Sequence, residues 1–386
     1  MVNTGIESKA ATGVTVKVVE TDQDLKDFIG FPYSLYRNNP YYVPPLRADQ
    51  ETVLRVDQNP AFDHCTAQYW LAYKNNRVVG RIAGIVNHAF IDKWKKKYAR
   101  FGWFDFEEQE GVAPSLLSTC ENWAKKQGME ALHGPMGFTN FDPAGMLVEG
   151  FDQLATISAL YNYPYYVSAI EKAGYRKEVD WVEYKIQVAG TVPKKIEQLA
   201  KIVKRRNKVE VINPQKSQDI ERYAHEIFKL INTCYSHLHG MVELTEKQIQ
   251  FYIRQYLPII RKDFITLVVN ETGALIAFGI TMPSLSKALQ KANGSLFPFG
   301  FLHLFMDMRK NNMGELCLVG VRPDYQGKGI NALLLEEVNK SYIQNKIKVV
   351  ESNPELEDNR QVQSLWDYYE ARQHKRRRCY IKPLIS

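Results

Sequence analysis

The chain has 386 residues, 45% hydrophobic and 24% charged, with a formal net charge of +7. That length exceeds one ordinary domain and suits two of roughly 190 residues each. No run of 18 apolar residues occurs, which excludes a membrane-spanning helix, and the basic balance suits an anionic partner such as a nucleotide cofactor or nucleic acid.

The opening MVNTGIESKAATG lacks the basic, apolar and small-residue succession of a secretory leader. Five cysteines stand at 65, 120, 234, 317 and 379, an odd count with no C-x-x-C pair. Neither a disulfide framework nor a structural zinc site is expected, and a reducing cytoplasm is the simplest location.

In chain order, the first strong element is a hairpin, YWLAYKNNRVVGRIAGIV, turning at Asn75-Asn76. Asparagine tolerates positive φ, so the turn has a physical reason. A strand FGWFDFEE, a helix APSLLSTCENWAKKQG and a strand ALHGPM follow. The loop GPMGFTNFDPAGMLVEGFD (134–152) then admits either a ligand or an elaborate turn, and YYVSAIEKAG and WVEYKIQ read as helix and strand. The segment 188–214 holds a Gly/Thr/Pro break, a basic amphipathic helix and a new strand, which places a domain boundary near residue 195.

The second half repeats this plan with little residue identity. A hairpin ITLVVNETGALIAFGI turns at Glu271-Thr272-Gly273. SLFPFGFLHLFMDMRK (295–310) has the composition of a core helix or of a wall for an acyl chain. Then come the strand LCLVGV, the helix NALLLEEVNKSYIQN, the strand IKVVES, the helix QVQSLWDYYEARQ and the strand RCYIKPL. The basic run QHKRRR admits contact with a cofactor phosphate or a nucleic acid, but reads first as a solvated turn, since it lacks the interleaved aromatics of an RNA-binding face. Alternation of strand and helix predicts α/β domains with parallel pairing across each β-α-β segment.

The most informative stretch is GELCLVGVRPDYQGKGINALLLEEV, a strand, a polar turn and a helix. A diphosphate needs converging donors, and a helix N-terminus offers free N–H groups at its positive end. Glycines let the backbone approach, and Lys328 adds charge. The Walker pattern is absent. Gly327, Gly329 and Ala332 give the G-x-G-x-x-A of a dinucleotide site, yet five residues separate it from the strand end at Val321.

Val321, Pro323, Gln326, Gly327, Gly329 and Ile330 instead match V-x-P-x-x-[QR]-G-x-G-[ILV], with Asn331 where Gly or Ala usually follows. This resembles the acyl-CoA motif of the GNAT acyltransferase superfamily, and the order of elements resembles bacterial tandem-GNAT proteins. The resemblance implies an α/β fold of two GNAT-like domains with mixed central sheets flanked by helices. Residues 1–195 would be a degenerate domain without a phosphate loop, and 196–386 the domain that binds acetyl-CoA or another acyl-CoA. It implies that Leu318, Val319, Gly320 and Val321 pair with the pantetheine arm, and that Gln326, Gly327, Lys328, Gly329, Ile330 and Asn331 hold the diphosphate. Glu315, six residues before Val321, stands where some members carry a general base. Trp366 replaces the family's acid tyrosine, with Tyr369 three residues on as a substitute; in the first half Ile170 takes that position.

The implied reaction is direct transfer of an acyl group from the thioester to an amine, small-molecule or peptide. A non-catalytic acyl-CoA-binding or interaction protein is the alternative, and an aminoacyl-tRNA-dependent transferase a more distant one; no other use of nucleic acid is expected. His237 and His239 lack a third ligand at recognisable spacing, so no metal site is expected. Cys317 reads as a small core residue, because direct transfer needs no thiol nucleophile.

Overall fold

The computed structural model describes residues 13–212, 214 and 217–384, so the opening segment read for a leader lies outside them up to residue 12. The chain forms two compact units. Unit 1 takes Met1–Trp181, Leu285–Phe305 and Lys375–Ser386; unit 2 takes Val182–Ser284 and Met306–His374.

The first stretch of unit 1 runs β1 (Thr15–Val18), α1 (Asp22–Leu35), α2 (Arg47–Leu54), β2 (Cys65–Lys74), β3 (Arg77–Asn87), α3 (His88–Trp94), β4 (Tyr98–Phe106), α4 (Val112–Lys126), β5 (Ala131–Gly134), β6 (Met146–Glu149), α5 (Tyr165–Lys172) and the start of β7 (Arg176–Gln187). Local signals set these elements. Thr21 and Asp24 form a capping box at the start of α1. Asn75 and Asn76 take φ of 51° and 58° to turn β2 into β3, as expected of the Asn-Asn pair. The apolar face of α4 packs with β3, β4 and α5 around Val79, Phe101, Leu116 and Tyr166.

Unit 2 continues with α6 (Lys194–Asn207), β8 (Glu210–Ile212), α7 (Ser217–Tyr235), α8 (Glu246–Tyr256), β9 (Ile265–Val269) and β10 (Leu275–Pro283). The chain then gives unit 1 α9 (Ser286–Ala292) and the first part of α10 (Gly300–Arg309), returns to unit 2 for β11 (Met313–Val321), α11 (Ile330–Gln344), β12 (Val349–Ser352), β13 (Glu355–Leu356) and α12 (Arg360–Gln363), and ends in β14 (Ala371–Pro383), which belongs to unit 1 from Lys375 onwards. The β9–β10 turn uses Gly273 at φ 78°.

Both sheets are mixed. In unit 1 the order is β1-β2-β3-β4-β5, with β4 and β5 parallel and β14 antiparallel to β5 through Tyr380–Pro383. In unit 2 the order is β8-β9-β10-β11-β12, with β11 and β12 parallel and β7 antiparallel to β12 through Lys185–Gln187. Each unit's sheet therefore takes in a closing strand from the other half of the sequence. The parallel β-α-β pairing follows the alternation of elements in both halves; the exchange of last strands has no local signal.

Three local expectations change. The helix read over QVQSLWDYYEARQ is one turn, α12, followed by a 3-10 turn at Ser364–Tyr368, and residues 371–373 already belong to β14. QHKRRR is strand, not a solvated turn: Lys375 and Arg377 are each 1% exposed. Arg377 donates to the Leu160 and Ala159 carbonyls, and Arg376 and Arg378 pair with Asp180. Their charges are spent on buried partners, so the run offers little to a nucleic acid. Finally, SLFPFGFLHLFMDMRK is helical from Gly300 but is no core helix, since its large apolar side chains face solvent.

Candidate functional site

The loop between β11 and α11 is built as its residues suggest. Pro323–Tyr325 form a 3-10 turn whose Gln326 cap returns to extended backbone. Gly327 and Gly329 take φ of 73° and 82°, a region that L side chains rarely adopt. Gly329 is the N-cap of α11 and provides no side-chain acceptor for the first turn of amides. A Cβ at Gly329 would sit 2.8 Å from Val203 Cγ2 of α6, so only glycine fits. Gln326, Gly327, Lys328 and Gly329 are exposed, while Ile330 is buried and anchors the helix. The result is an exposed loop before a helix N-terminus that no side chain caps, although the Gln326 and Lys328 amides donate to the Pro323 and Tyr325 carbonyls; a helix N-terminus of this kind can accept a phosphate.

Helix α6 braces this loop. Asn207 Nδ2 donates to the Lys328 carbonyl at 3.2 Å. The last turn of α6 carries Lys204, Arg205 and Arg206, all exposed. The sequence shows this helix only as the basic amphipathic helix of the segment that holds the domain boundary. Its basic last turn, a signal visible in the sequence, puts three exposed cations on the helix that braces the loop. Gln326 turns inward and donates to the Val321 carbonyl at 3.0 Å. Asn331 is half-buried in the first turn of α11.

Strand β11 leaves β12 where the site needs room. The two pair only through Met313–Leu316 and Val349–Ser352; β11 then runs on to Val321. A β-bulge lies at the point of departure. One step along β10, Ile280 to Thr281, faces two along β11, Leu318 to Leu316, so Cys317 is the extra residue. Burial raises the Cys317 thiol well above its ordinary pKa, which suits a small packing residue. Among the four pantetheine positions, Leu318 and Gly320 share the backbone parity of Arg322, whose amide donates to Ile276 of β10. Val319 and Val321 present their backbone groups to the open edge.

That edge is occupied by side chains of the protein itself. The Tyr235 hydroxyl, at the end of α7, donates to the Val319 carbonyl at 2.8 Å and accepts from the Val319 amide at 3.3 Å. Cys234 Sγ reaches the Val321 carbonyl at 3.2 Å, and Asn353 Nδ2 binds the Cys317 carbonyl. Sequence reasoning missed Tyr235, because nothing local ties the end of α7 to a strand 84 residues away.

Glu315 is 2% exposed and in register with Glu351 on β12. Its neighbour Leu316 lines a small apolar pocket with Val338, Tyr342, Trp366 and Tyr369 on the α11 side of the sheet. Alternation therefore sends Glu315 to the other face, where Glu351 also points. Tyr369 belongs to the α11 side, where its hydroxyl accepts from Asn339 Nδ2 at 2.6 Å and burial pushes it up to about 12. The structure thus separates Glu315 and Tyr369 onto opposite faces of β11.

Glu351 has further company. One ligand atom each from Glu183, Glu351 and His374 lies within 4.8 Å of the others, and all three side chains are buried. The three come from β7, β12 and β14, so no sequence spacing announces them. Trp366, at the family's tyrosine position, donates Nε1 to Glu355 at 3.1 Å. Burial pushes the Glu355 carboxyl up to about 7 even with that donor. A carboxyl that protonates near neutrality beside the missing tyrosine is the second group the sequence reading passed over.

The unusual loop of unit 1 is a filled turn. Arg100, 1% exposed, donates to the Gly137 and Phe138 carbonyls, and Asn87 also binds Phe138 O. Asp142 accepts from the Thr139 amide, and burial pushes its carboxyl up to about 6.

The comparisons agree with this geometry. The model of the acetyltransferase (GNAT) family matches residues 224–368. The chain is 30% identical over 376 residues to Protein YghO of Escherichia coli, covering 96% of this chain and 95% of that protein. It is 26% identical over 321 residues to a bacterial ceramide synthase of Caulobacter vibrioides, covering 81% and 82%. Among solved structures, a tandem GNAT protein from the clavulanic acid biosynthesis pathway superposes with a TM-score of 0.56 at 13% identity, covering 97% of this chain and 99% of its own. An acetyltransferase of the same kind from Sphaerobacter thermophilus gives 0.52 at 10% identity, with 98% of each chain covered. With a bulged strand splayed from its parallel neighbour, a glycine-capped loop before the next helix, and relatives matched along nearly their whole length, the chain belongs to the GNAT superfamily as a tandem-GNAT-like protein.

Proposed function

We propose that the protein is an N-acyltransferase that moves an acyl group from acyl-CoA to an amine by direct transfer. The domain from about residue 196 onwards holds the cofactor, and the part before it is a degenerate GNAT-like domain that supports the acceptor side. The observation that carries this reading is the edge of β11 at Val319 and Val321, which β12 does not pair and side chains alone occupy, leading into the exposed loop Gln326–Gly329 at the N-terminus of α11. A pantetheine arm pairs with such an edge as an added strand, and its diphosphate meets the helix N-terminus. Lys328 and the last turn of α6 supply cationic partners for the remaining phosphate.

In the reaction the amine nitrogen attacks the thioester carbonyl, the C–N bond forms, and the C–S bond breaks. Glu315 takes the amine proton, directly or through water, and the departing thiolate is protonated to free CoA. Glu355 suits that last role better than Tyr369, because its carboxyl is half protonated near neutrality. The Val319 amide would polarise the thioester carbonyl once Tyr235 has moved aside. Similarity to the Caulobacter ceramide synthase supports a long-chain acyl donor and an amine borne on a lipid.

Titration calorimetry with acetyl-CoA and palmitoyl-CoA tests the cofactor site, and no heat at millimolar acetyl-CoA and no competition by CoA removes it. Release of free thiol with a panel of amines, a long-chain amino alcohol included, then tests transfer. Binding without thiol release for any amine would favour the non-catalytic alternative, to which the Tyr235 plug on Val319 also points.

A further inference from the structure

Segment 295–310 is apolar on its outside. Phe297 and Phe299 are 80% and 68% exposed, and Phe301, Leu302, Phe305 and Met306 of α10 between 43% and 51%. The four helical residues fall at spacings of one, four and five, which is one face of α10. The half-buried face carries the polar His303 and Asp307 beside Leu304 and Met308. A helix in water arranges these the other way round. Six large apolar side chains within ten residues far exceed the scattered exposure of an ordinary surface.

The charges near the patch decide what covers it. Lys287 and Lys291 of α9 precede it, and Arg309 and Lys310 close it, all four exposed. Asp307, half-buried, is the lone acid from 285 to 310. A second copy of this chain would bring the same excess of flanking cations against this one. An anionic bilayer surface accepts both parts: phenylalanines enter the boundary of headgroups and acyl chains while the lysines and arginines meet lipid phosphates. No helix among the described residues is long and apolar enough to cross a membrane, so contact of this kind is interfacial.

We propose that the Phe297–Met306 surface docks the protein onto anionic membranes. This stands independently of acyl transfer; it adds to that reading a place where lipid donors and acceptors are found.

Co-sedimentation of the full chain with phosphatidylcholine vesicles, with and without one third phosphatidylglycerol, tests it. The wild type should partition onto the anionic vesicles and be released as salt rises. The triple variant Phe297→Ser, Phe299→Ser, Phe301→Ser should lose at least about tenfold in partition at an unchanged melting temperature, since each exposed ring carries a substantial share of the transfer energy. The variant Lys287→Glu, Lys291→Glu, Arg309→Glu should lose binding to anionic vesicles and leave the weak binding to neutral ones unchanged. Equal partition of wild type and the phenylalanine variant overturns the proposal. So does a wild-type dimer in sedimentation velocity that the phenylalanine variant abolishes, with no vesicle binding by either.

Discussion

The two units solve the same geometric problem with opposite consequences. In each, a long strand parts from a parallel neighbour and leads through a loop to a helix capped by a left-handed glycine. Gly111 caps α4 at φ 84°, and Gly329 caps α11 at φ 82°. The loop before Gly111 reads Glu107-Glu108-Gln109-Glu110, whereas the loop before Gly329 reads Tyr325-Gln326-Gly327-Lys328. The first puts three glutamates just ahead of the helix, Glu107 paired with Arg77, and disfavours an anion; the second has no acid in those four residues and a lysine beside the helix. The splays differ too. In unit 1 the main chain itself fills the gap: the Met136 amide donates to the Phe101 carbonyl at 2.8 Å, and a Cβ at Gly102 would lie 2.5 Å from Met136 O. In unit 2 the gap is held by the movable side chains of Tyr235 and Asn353. The same scaffold is closed by main chain in one unit and by side chains in the other.

The largest effect that can break this contrast is on turnover. Glu315→Gln should lower acyl transfer by about a hundredfold or more while acyl-CoA affinity stays within twofold, as for loss of a general base. Removal of Glu108, an acid of the unit 1 loop, should leave turnover unchanged. Stopped-flow thiol release and calorimetry on both variants check this, and equal turnover in Glu315→Gln and wild type removes the base role.

Next in size is a pH effect on stability. The Glu355 carboxyl is raised from 4.5 to about 7. The folded state therefore binds its proton more tightly than the unfolded chain. That stabilisation is complete below about pH 4.5 and is lost as pH rises through 7. Two and a half pH units correspond to about 3 kcal/mol. Glu355→Gln should consequently gain up to about 3 kcal/mol on wild type at pH 8 and little at pH 5, by urea melts at each pH. Asp142 of unit 1, raised to about 6 by burial, should follow the same sign with its own window ending lower. A pH-independent difference between Glu355→Gln and wild type contradicts the raised carboxyl.

Much of this contrast was legible in the sequence, and the missing parts share one cause. The hairpin turns, the β-α-β order and the Gln-Gly-Lys-Gly loop are encoded within a few residues, through positive-φ preferences and local periodicity. Glu315 stands out only through the family resemblance, by its spacing from Val321. Tyr235, the Glu183–Glu351–His374 group and the exchanged strands β7 and β14 arise from contacts between distant segments, which no window of sequence displays. QHKRRR misled for a related reason, since buried partners such as Asp180 and the Leu160 carbonyl turn a charge run into strand interior. The outward phenylalanines of α10 defied the rule that apolar composition means core.

A tenfold effect is expected at the helix caps. Gly329→Ala forces a strained φ and a contact with Val203, so it should cost about 1–2 kcal/mol of stability and about tenfold in acyl-CoA affinity. Gly111→Ala should cost similar stability and no affinity, because its cap faces carboxylates rather than a ligand. Lys328→Glu should reproduce the affinity loss without the stability loss. Thermal melts and acetyl-CoA titrations of the three variants separate charge from backbone, and equal affinity loss in Gly111→Ala would place the cofactor in the other unit.

The smallest effect belongs to Tyr235. Its hydroxyl holds both backbone groups of Val319, the groups an incoming pantetheine would take. Binding must break those bonds, so part of the cofactor's pairing energy replaces what Tyr235 already supplies. A neutral hydrogen bond contributes about 1 kcal/mol net. Tyr235→Phe should therefore bind acetyl-CoA about fivefold more tightly, with the association rate raised rather than the dissociation rate lowered, because the plug acts before the ligand arrives. The same change costs the ligand-free protein about the same energy, seen as a slightly lower melting temperature that acetyl-CoA restores. Weaker binding in Tyr235→Phe would mean that the hydroxyl contacts the cofactor instead of competing with it, and the gap in unit 2 would then be a preformed site rather than a plugged one.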